Sequence, residues 1–350
     1  MKKLVCLTLI IALAIPLAFA GGSRNRGASS GTGSQGSAGK IVIYTSIYED
    51  VIEALGKVLG RQFPGYQITF YYGGTGQIQA KVAAEQAANS LGCDMLMVAE
   101  PAYSLELKQN GMLHPYISKE ASNLAFDYDR EGYWYPVRVS NMVLAYNPGR
   151  NTKASIPNSF NDFAFNTGVR GAISMSNPLS SGTAMASVIA LRDKYGNGYF
   201  EALARQDVMI ESGSVALSKL ESGECKVIMV LEESVLKKRQ EERSNLEVIY
   251  PTDGTILIPS TIMIINDKWN ANKNIKTAEA ITDFFLSEDG QNSIVAGWMH
   301  SVRKNFSKIP FDSIPTTQIQ ANSMPVNWEN CFHQKDEIYA LFEEFLSSRR

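Results

Sequence analysis

From Lys40 onward the apolar positions alternate between two spacings. Short runs rich in β-branched, aromatic and long apolar residues, "KIVIYTS", "QITFYY" and "CDMLMV", each give way to a turn and then to apolar residues at helical spacing. In "EDVIEALGKVLGRQF", Val51, Ile52, Leu55, Val58 and Leu59 fall on one helical face. "QITFYY" leads through "GGTGQ" into "IQAKVAAEQAAN", and "CDMLMV" through "AEP" into "AYSLELKQNG". Strand, loop and helix in this repeated order predict an α/β domain built on a mostly parallel sheet.

A second series follows "WYPVRVSNMVLAYNPG": "GAISMS" and its helix, "VMIESG" with "SVALSKLESG", "KVIMVL" with "EESVLKKRQEE", and then "LEVIYP". The long apolar run "TILIPSTIMII" comes next, and its Pro259 argues against an uninterrupted central strand. Helices are predicted around 276–296, and "DEIYALFEEFL" reads as a terminal amphipathic one. The two extended runs, near 135–146 and 254–265, are read as crossings between two α/β lobes, with a cleft between them. The expected lobes are residues 40–137 with 259–350, and residues 138–258. No repeat of solenoid length is found. The proline-punctuated stretch from Ser307 to Asn330 is expected to lead the last helix back onto a lobe surface.

The first twenty residues, "MKKLVCLTLIIALAIPLAFA", carry two lysines, an apolar stretch and Ala18-Phe19-Ala20. That is the pattern of a secretory signal cleaved after Ala20, and the apolar run is short for a membrane span. No cysteine stands just after that point to accept lipid, so a soluble protein of the periplasm is expected. Residues 21–39, "GGSRNRGASSGTGSQGSAG", have almost nothing to bury and read as a flexible tether.

Without Lys2 and Lys3 the 33 basic and 35 acidic residues become 31 and 35, a charge near −4. This balance gives no electrostatic footing for nucleic acid. Cys93, Cys225 and Cys331 are too few and too widely spaced for a disulfide scaffold or a CxxC metal site. They allow one bridge, or three buried small apolar groups.

Signatures of catalysis are weak. "GTGSQGSAGK" resembles a phosphate-binding P-loop, but five residues rather than four separate Gly33 from Gly39-Lys40, and Ile41 replaces the Ser or Thr. His114, His300 and His333 stand in no metal spacing, and there is no GxSxG elbow. The expectation is a protein that is not an enzyme and needs no cofactor.

Small and polar residues do stand where strands hand over to helices, the place where open α/β sheets bind ligands. In the first lobe these are Thr45, Ser46 and Tyr48, then Thr75, Gly76 and Gln77, then Glu100. In the second they are Ser180, Ser181, Gly182 and Thr183, then Ser214, then Glu232 and Glu233. Each has an ordinary alternative as a turn or a helix cap. In "NPLSSGTAMASVIAL" the same hydroxyls serve to cap a helix or to hold an anion at its positive end. The glycines of "YYGGTGQIQ" suit a tight turn or a ligand loop. Arg138, in the first crossing, is a hinge ion pair or an anion partner in the cleft.

Taken together, Lys40 to about Asn305 resembles the periplasmic solute-binding proteins of ABC importers, in the group with ferric-ion-, thiamine-, aminoethylphosphonate- and sugar-phosphate-binding members. The residues that carry the resemblance are "IVIYTSIYED", "GGTGQIQAKV", "CDMLMVAEP", "NPLSSGTAMAS", "GSVALSKLESGECKVIMV", "DGTILIPSTIMII" and "TDFFLSEDGQ". The last is a family marker expected to join two helices. The resemblance implies a two-lobe α/β protein, monomeric, that closes on a small solute and presents it to a permease of the inner membrane.

It also bears on the ligand. Ferric-ion binders of the group carry adjacent tyrosines after the strand matching "KVIMVL", where this chain has Leu231-Glu232-Glu233-Ser234. The anion segment is kept at Ser181, Gly182 and Thr183. These positions favour a small phosphorylated or phosphonate solute, with Glu232 and Glu233 on the opposite wall to take hydroxyls or an ammonium. Ferric iron on Tyr48, Glu100 and Glu233 is the alternative within the group. A secreted phosphate-ester hydrolase or transferase is the alternative outside it.

Overall fold

The computed structural model describes residues 39–348 apart from Glu100, Ala271 and Asn272. The signal segment and nearly all of the tether lie outside the described residues. In the first lobe β1 (Gly39–Thr45), β2 (Tyr66–Tyr72) and β3 (Met95–Ala99) alternate with α1 (Glu49–Gln62), α2 (Thr75–Ala87) and α3 (Ala102–Gln109). β4 (Tyr135–Tyr146) then crosses to the second lobe, which opens with α4 (Phe160–Phe165), β5 (Ile173–Ser176), α5 (Gly182–Tyr195) and α6 (Gly198–Arg205). It continues with β6 (Met209–Glu211), α7 (Gly213–Ser222), β7 (Val227–Leu231), α8 (Glu232–Glu241) and β8 (Glu247–Ile249). β9 (Ile256–Ile264) crosses back and is followed by α9 (Ile275–Leu286), α10 (Glu288–Ala296), α11 (Thr316–Ala321) and α12 (Trp328–Ser348).

The strand order is β2-β1-β3-β9-β4-β7-β5-β6, with β8 also paired to β4. β1 runs parallel to β2 and β3, and β5 runs parallel to β6 and β7. The crossings β4 and β9 pair antiparallel with each other and join the two parallel trios. This is the two-lobe α/β architecture expected from the sequence.

Both faces of the inner strands β3 and β7 are covered. In β3, Met95 and Met97 join one core with Ile41, Ile43 and the apolar face of α1, while Leu96 and Val98 join another with Ile78 and Leu107. In β7, Val227 and Met229 pack beside Met175 and α5, while Ile228 and Val230 pack against Leu217 and Leu220 of α7. Strand side chains alternate between faces, so a run buried on both sides must be apolar throughout. Each fully buried Ile or Leu contributes about 1.5–3 kcal/mol from area removed from water. Cys93, Cys225 and Cys331 are buried within these cores.

Pro259 does not interrupt β9, contrary to expectation: it lies opposite Val139 in the ladder with β4. The ladder with β3 ends at Ser260 opposite Ala99. Pro259 therefore has a strand neighbour on one side only, and its missing N–H is tolerated as at a sheet edge.

Helix α12, expected to group with the first lobe, packs on both lobes. Ile338, Phe342 and Phe345 share their core with Leu191, Phe200 and Leu203 of α5 and α6, and Arg192 donates to Gln334 at 3.1 Å. On its other side, Lys335 pairs with Glu106 of α3 at 3.0 Å. The amphipathic spacing predicted the helix, but the surface it covers is chosen by tertiary packing.

The segment "DFFLSEDGQ" joins α9 to α10, as expected. Ser287 caps α10 by accepting from Gly290 N at 3.3 Å, and a Cβ at Gly290 would lie 2.0 Å from the Phe284 carbonyl oxygen. The buried Gln291 amide donates to the carbonyls of Val137 at 2.8 Å and Phe285 at 2.7 Å, and its oxygen accepts from Ser301 Oγ and Val302 N, both at 2.9 Å.

Candidate functional site

A cleft of about 210 Å³ lies between the lobes where the strands of both trios end. Ser46 and Tyr48 follow β1 into it, Tyr72, Gly74 and Thr75 follow β2, and Ala99 ends β3. From the second lobe come Ser176, Asn177 and Ser180 to Thr183 after β5, Glu211 to Gly213 after β6, and Leu231 with Ser234 after β7. Arg138 enters from the β4 crossing. Its register with β9 shifts between Pro136 and Arg138, a bulge of the kind that re-aims a side chain.

The turn after β5 is built by its own polar residues. Asn177 Oδ1 accepts from Leu179 N at 2.9 Å, and the chain then enters α5 with Ser181 as N-cap. Ser181 Oγ accepts from Ala184 N at 3.3 Å and lies 3.1 Å from Thr183 Oγ1. The same arrangement recurs at α7: Ser212 Oγ accepts from Val215 N at 3.3 Å and lies 3.1 Å from Ser214 Oγ. At α2, Gln77 Oε1 accepts from Gly74 N at 3.2 Å. Three helix N-termini thus border one cavity, each carrying unpaired N–H groups and partial positive charge. Thr75 is 2% exposed, and its Oγ1 has no hydrogen-bond partner among the described residues.

Arg138 is 3% exposed, and its Nη1 donates to Ser140 Oγ at 3.3 Å and to Met299 Sδ at 3.0 Å. The same nitrogen stands 3.8 Å from Glu233 Oε1, which accepts from Ser140 Oγ at 2.7 Å. Burial lowers the Arg138 pKa, with Glu233 working against it, and the guanidinium stays charged. Burial likewise pushes the Glu233 carboxyl above the usual range, only partly offset by Arg138 and Ser140. Tyr48 Oη lies 3.0 Å from Ser234 Oγ across the cleft. Burial, and then the nearby Glu233, push its phenol up to about 12.

Of the residues read as ligand contacts, Ser46, Tyr48, Thr75, Arg138, Ser180, Ser181, Gly182 and Thr183 line this cleft. Thr45 is fully buried and its Oγ1 accepts from Ile47 N at 3.1 Å, a turn role. Gly76, Gln77 and Ser214 stand at the helix starts outside the lining, and Glu100 lies outside the described residues. The two glutamates do not form an exposed wall. Glu233 sits behind Arg138, and Glu232 accepts from Asn141 at 2.7 Å, Tyr250 at 2.6 Å and Ser313, with His300 Nε2 at 3.1 Å. Burial raises the Glu232 pKa, but His300, Ser313 and Tyr250 outweigh it and hold the carboxyl low.

Among the described residues the carboxylate that lines the cleft is Glu211, paired with Lys219 at 2.7 Å. Tyr72, Asn177, Ser212 and Ser234 also line it without having been singled out. "ESGS" repeats the small hydroxyl pattern of "SSGT", so Ser212 was legible two residues before Ser214. Among the described residues no group of three or more His, Cys, Asp or Glu is placed to hold a metal ion, and no helix is long and apolar enough to cross a membrane.

A family model described as bacterial extracellular solute-binding protein matches residues 93–329. No match was found among curated proteins. Among solved structures, iron-bound HitA from Pseudomonas aeruginosa is similar at 19% identity and a TM-score of 0.76, over 88% of this chain and 99% of that one. The periplasmic binding protein AfuA from Actinobacillus pleuropneumoniae, solved with fructose 6-phosphate, is similar at 21% identity and a TM-score of 0.75, over 89% and 98%. The substrate-binding protein of an ABC transporter from Agrobacterium tumefaciens is similar at 15% identity and a TM-score of 0.78, over 91% and 96%.

Proposed function

The chain belongs to the bacterial extracellular solute-binding protein family, and we propose that its cleft takes a small phosphorylated or phosphonate solute for delivery to an ABC permease from the periplasm. The observation that carries this reading is the convergence of the α2, α5 and α7 N-termini, with their hydroxyls, on one cavity that Arg138 also enters. AfuA, with fructose 6-phosphate, supplies a precedent of the same fold.

The magnitudes are adequate. Micromolar affinity needs about 8 kcal/mol. One helix end contributes about 0.3–1 kcal/mol, and about 2 when partly buried. Hydrogen bonds from Ser181, Thr183, Ser212 and Ser46 to a charged group would add about 1.5–3 kcal/mol each, from which closure costs are subtracted. Arg138 adds a full charge, reduced by Glu233 behind it. Glu211, on the second-lobe wall, suits hydroxyls or an ammonium of the solute tail, the role first assigned to Glu232 and Glu233.

Among the described residues no group in the cleft favours ferric iron in the same way. Of the proposed ligands, Tyr48 is a neutral phenol at pH 7 and Glu233 is engaged by Ser140 and Arg138. Equilibrium binding to a panel of sugar phosphates and aminophosphonates tests the reading, with turnover followed in the same samples. Saturable binding with the ligand recovered unchanged supports it. No binding across the panel together with tight ferric binding overturns it, and hydrolysis of a phosphate ester moves the protein to the enzyme class.

A further inference from the structure

We infer that Gly182, with Gly74 and Gly76, forms an interlobe stop that sets how far the lobes close and seals one side of the cleft. These glycines belong to the two small-residue turns, "GGTG" before α2 in the first lobe and "NPLSSGT" before α5 in the second, which meet face to face. A Cβ added to Gly182 would stand 2.8 Å from both Cβ and Oγ1 of Thr75. One added to Gly74 would stand 2.9 Å from the Ser180 carbonyl oxygen, and one at Gly76 3.2 Å from that of Leu179. None of the three is held in the left-handed region that only glycine adopts easily. Their absent side chains are therefore explained by close approach of the opposite lobe, not by a turn.

The seam has a counterpart on the other side of the cleft. There the lobes touch through long side chains: Tyr48 with Ser234, Asp50 with Lys237 at 2.7 Å, and Trp298 donating to Gln240 at 2.7 Å. Side chains of that length reorient at small cost, whereas backbone meeting backbone at Gly74 and Gly76, or meeting the short, buried Thr75 side chain at Gly182, does not yield. The glycine seam is thus a rigid contact that limits the closed separation, and with it the height of the cavity beside Ser181 and Thr183. It also buries Thr75 Oγ1 beneath Gly182, which accounts for its lack of a partner. The solute tail has to leave the helix ends on the side away from this seam.

The test needs no solute, so its result is independent of what the cleft binds. Asp50→Cys with Lys237→Cys places a thiol pair across the yielding side, and a short bifunctional thiol reagent traps whatever closed fraction exists. Cys93, Cys225 and Cys331 are buried and do not compete. The same pair is followed in Gly182→Ala, Gly74→Ala and Gly60→Ala backgrounds, the last being a helix glycine with nothing within 4 Å of an added Cβ. Trapping is expected to slow at least about fivefold for Gly182→Ala and Gly74→Ala, as overpacking of a rigid contact implies, and to be unchanged for Gly60→Ala. Thermal melts establish that each variant is folded; if Gly182→Ala is not, Gly74→Ala decides. Unchanged trapping in the folded seam variants, or no trapping in the parent pair, overturns the inference.

Discussion

Gln291 Nε2 donates to the carbonyl oxygen of Val137 at 2.8 Å, and Val137 is the extra residue of the β4 bulge that precedes Arg138. A glutamine from the α9–α10 junction therefore supports the backbone that aims the cleft's arginine. Gln291→Leu should leave the Val137 and Phe285 carbonyls and the Val302 N–H without their partner. At about 1–3 kcal/mol for each buried group left unpaired, the loss in urea unfolding is expected to reach at least about 3 kcal/mol. Affinity for a phosphorylated solute should fall as well, because Arg138 loses its support. Destabilisation without any change in affinity would separate the bulge from the site.

Glu233 and Arg138 make a second prediction, in which the sign matters. Burial raises the Glu233 pKa above its unfolded value, so its contribution to stability is present below the unfolded pKa of about 4.3 and is lost as pH rises through the folded value. Glu233→Gln keeps the shape and the acceptor while removing the charge. It should show less loss of stability between pH 4 and pH 7 than the parent protein, measured by urea unfolding at each pH. The same change frees the Arg138 charge for the ligand, and affinity for an anionic solute should rise severalfold at pH 7. A fall in affinity would place Glu233 among the groups that hold the solute.

The difference between what could be read beforehand and what could not has a physical basis. The short apolar runs and helical stripes report burial directly, so both lobes and both crossings were legible. Hydroxyls at strand ends pointed to turns that border the cleft, and Ser181 to Thr183 line it. Orientation was not legible. Glu232 and Glu233 begin α8 at the end of a cleft-facing strand, yet Asn141, His300 and Tyr250 draw one away and Ser140 with Arg138 engages the other. Those partners lie between 18 and 95 residues distant in the chain, and no local pattern announces them. Glu211 does end a strand, as "VMIESG" reads, but that its carboxylate lines the cleft was not legible for the same reason.

Ser181 and Ser212 occupy equivalent caps, and comparing them locates the anion. Ser181→Ala and Ser212→Ala should each cost about 0.5–2 kcal/mol of stability through the lost cap. Ser181→Ala should in addition weaken fructose 6-phosphate or a phosphonate by about tenfold to a hundredfold, the value of a hydrogen bond to a charged group. Titration calorimetry on both variants reads the difference. If Ser212→Ala shows the larger loss, the anion sits on α7 and the tail lies toward α5.

Tyr48 discriminates the two ligand readings. Its phenol is pushed up to about 12 by burial and by Glu233, so it stays protonated through the neutral range and its absorbance should change only in strongly alkaline solution. Addition of ferric ion at pH 7 should therefore produce no phenolate-to-iron colour. A visible band that vanishes in Tyr48→Phe would mean that the metal displaces that proton, and would overturn the phosphorylated-solute reading. With a phosphorylated solute the same variant has a milder effect. It removes only the 3.0 Å contact to Ser234 across the cleft, worth about 0.5–1.5 kcal/mol to the closed form. Affinity should drop by about twofold to tenfold, with the glycine seam on the other side still intact.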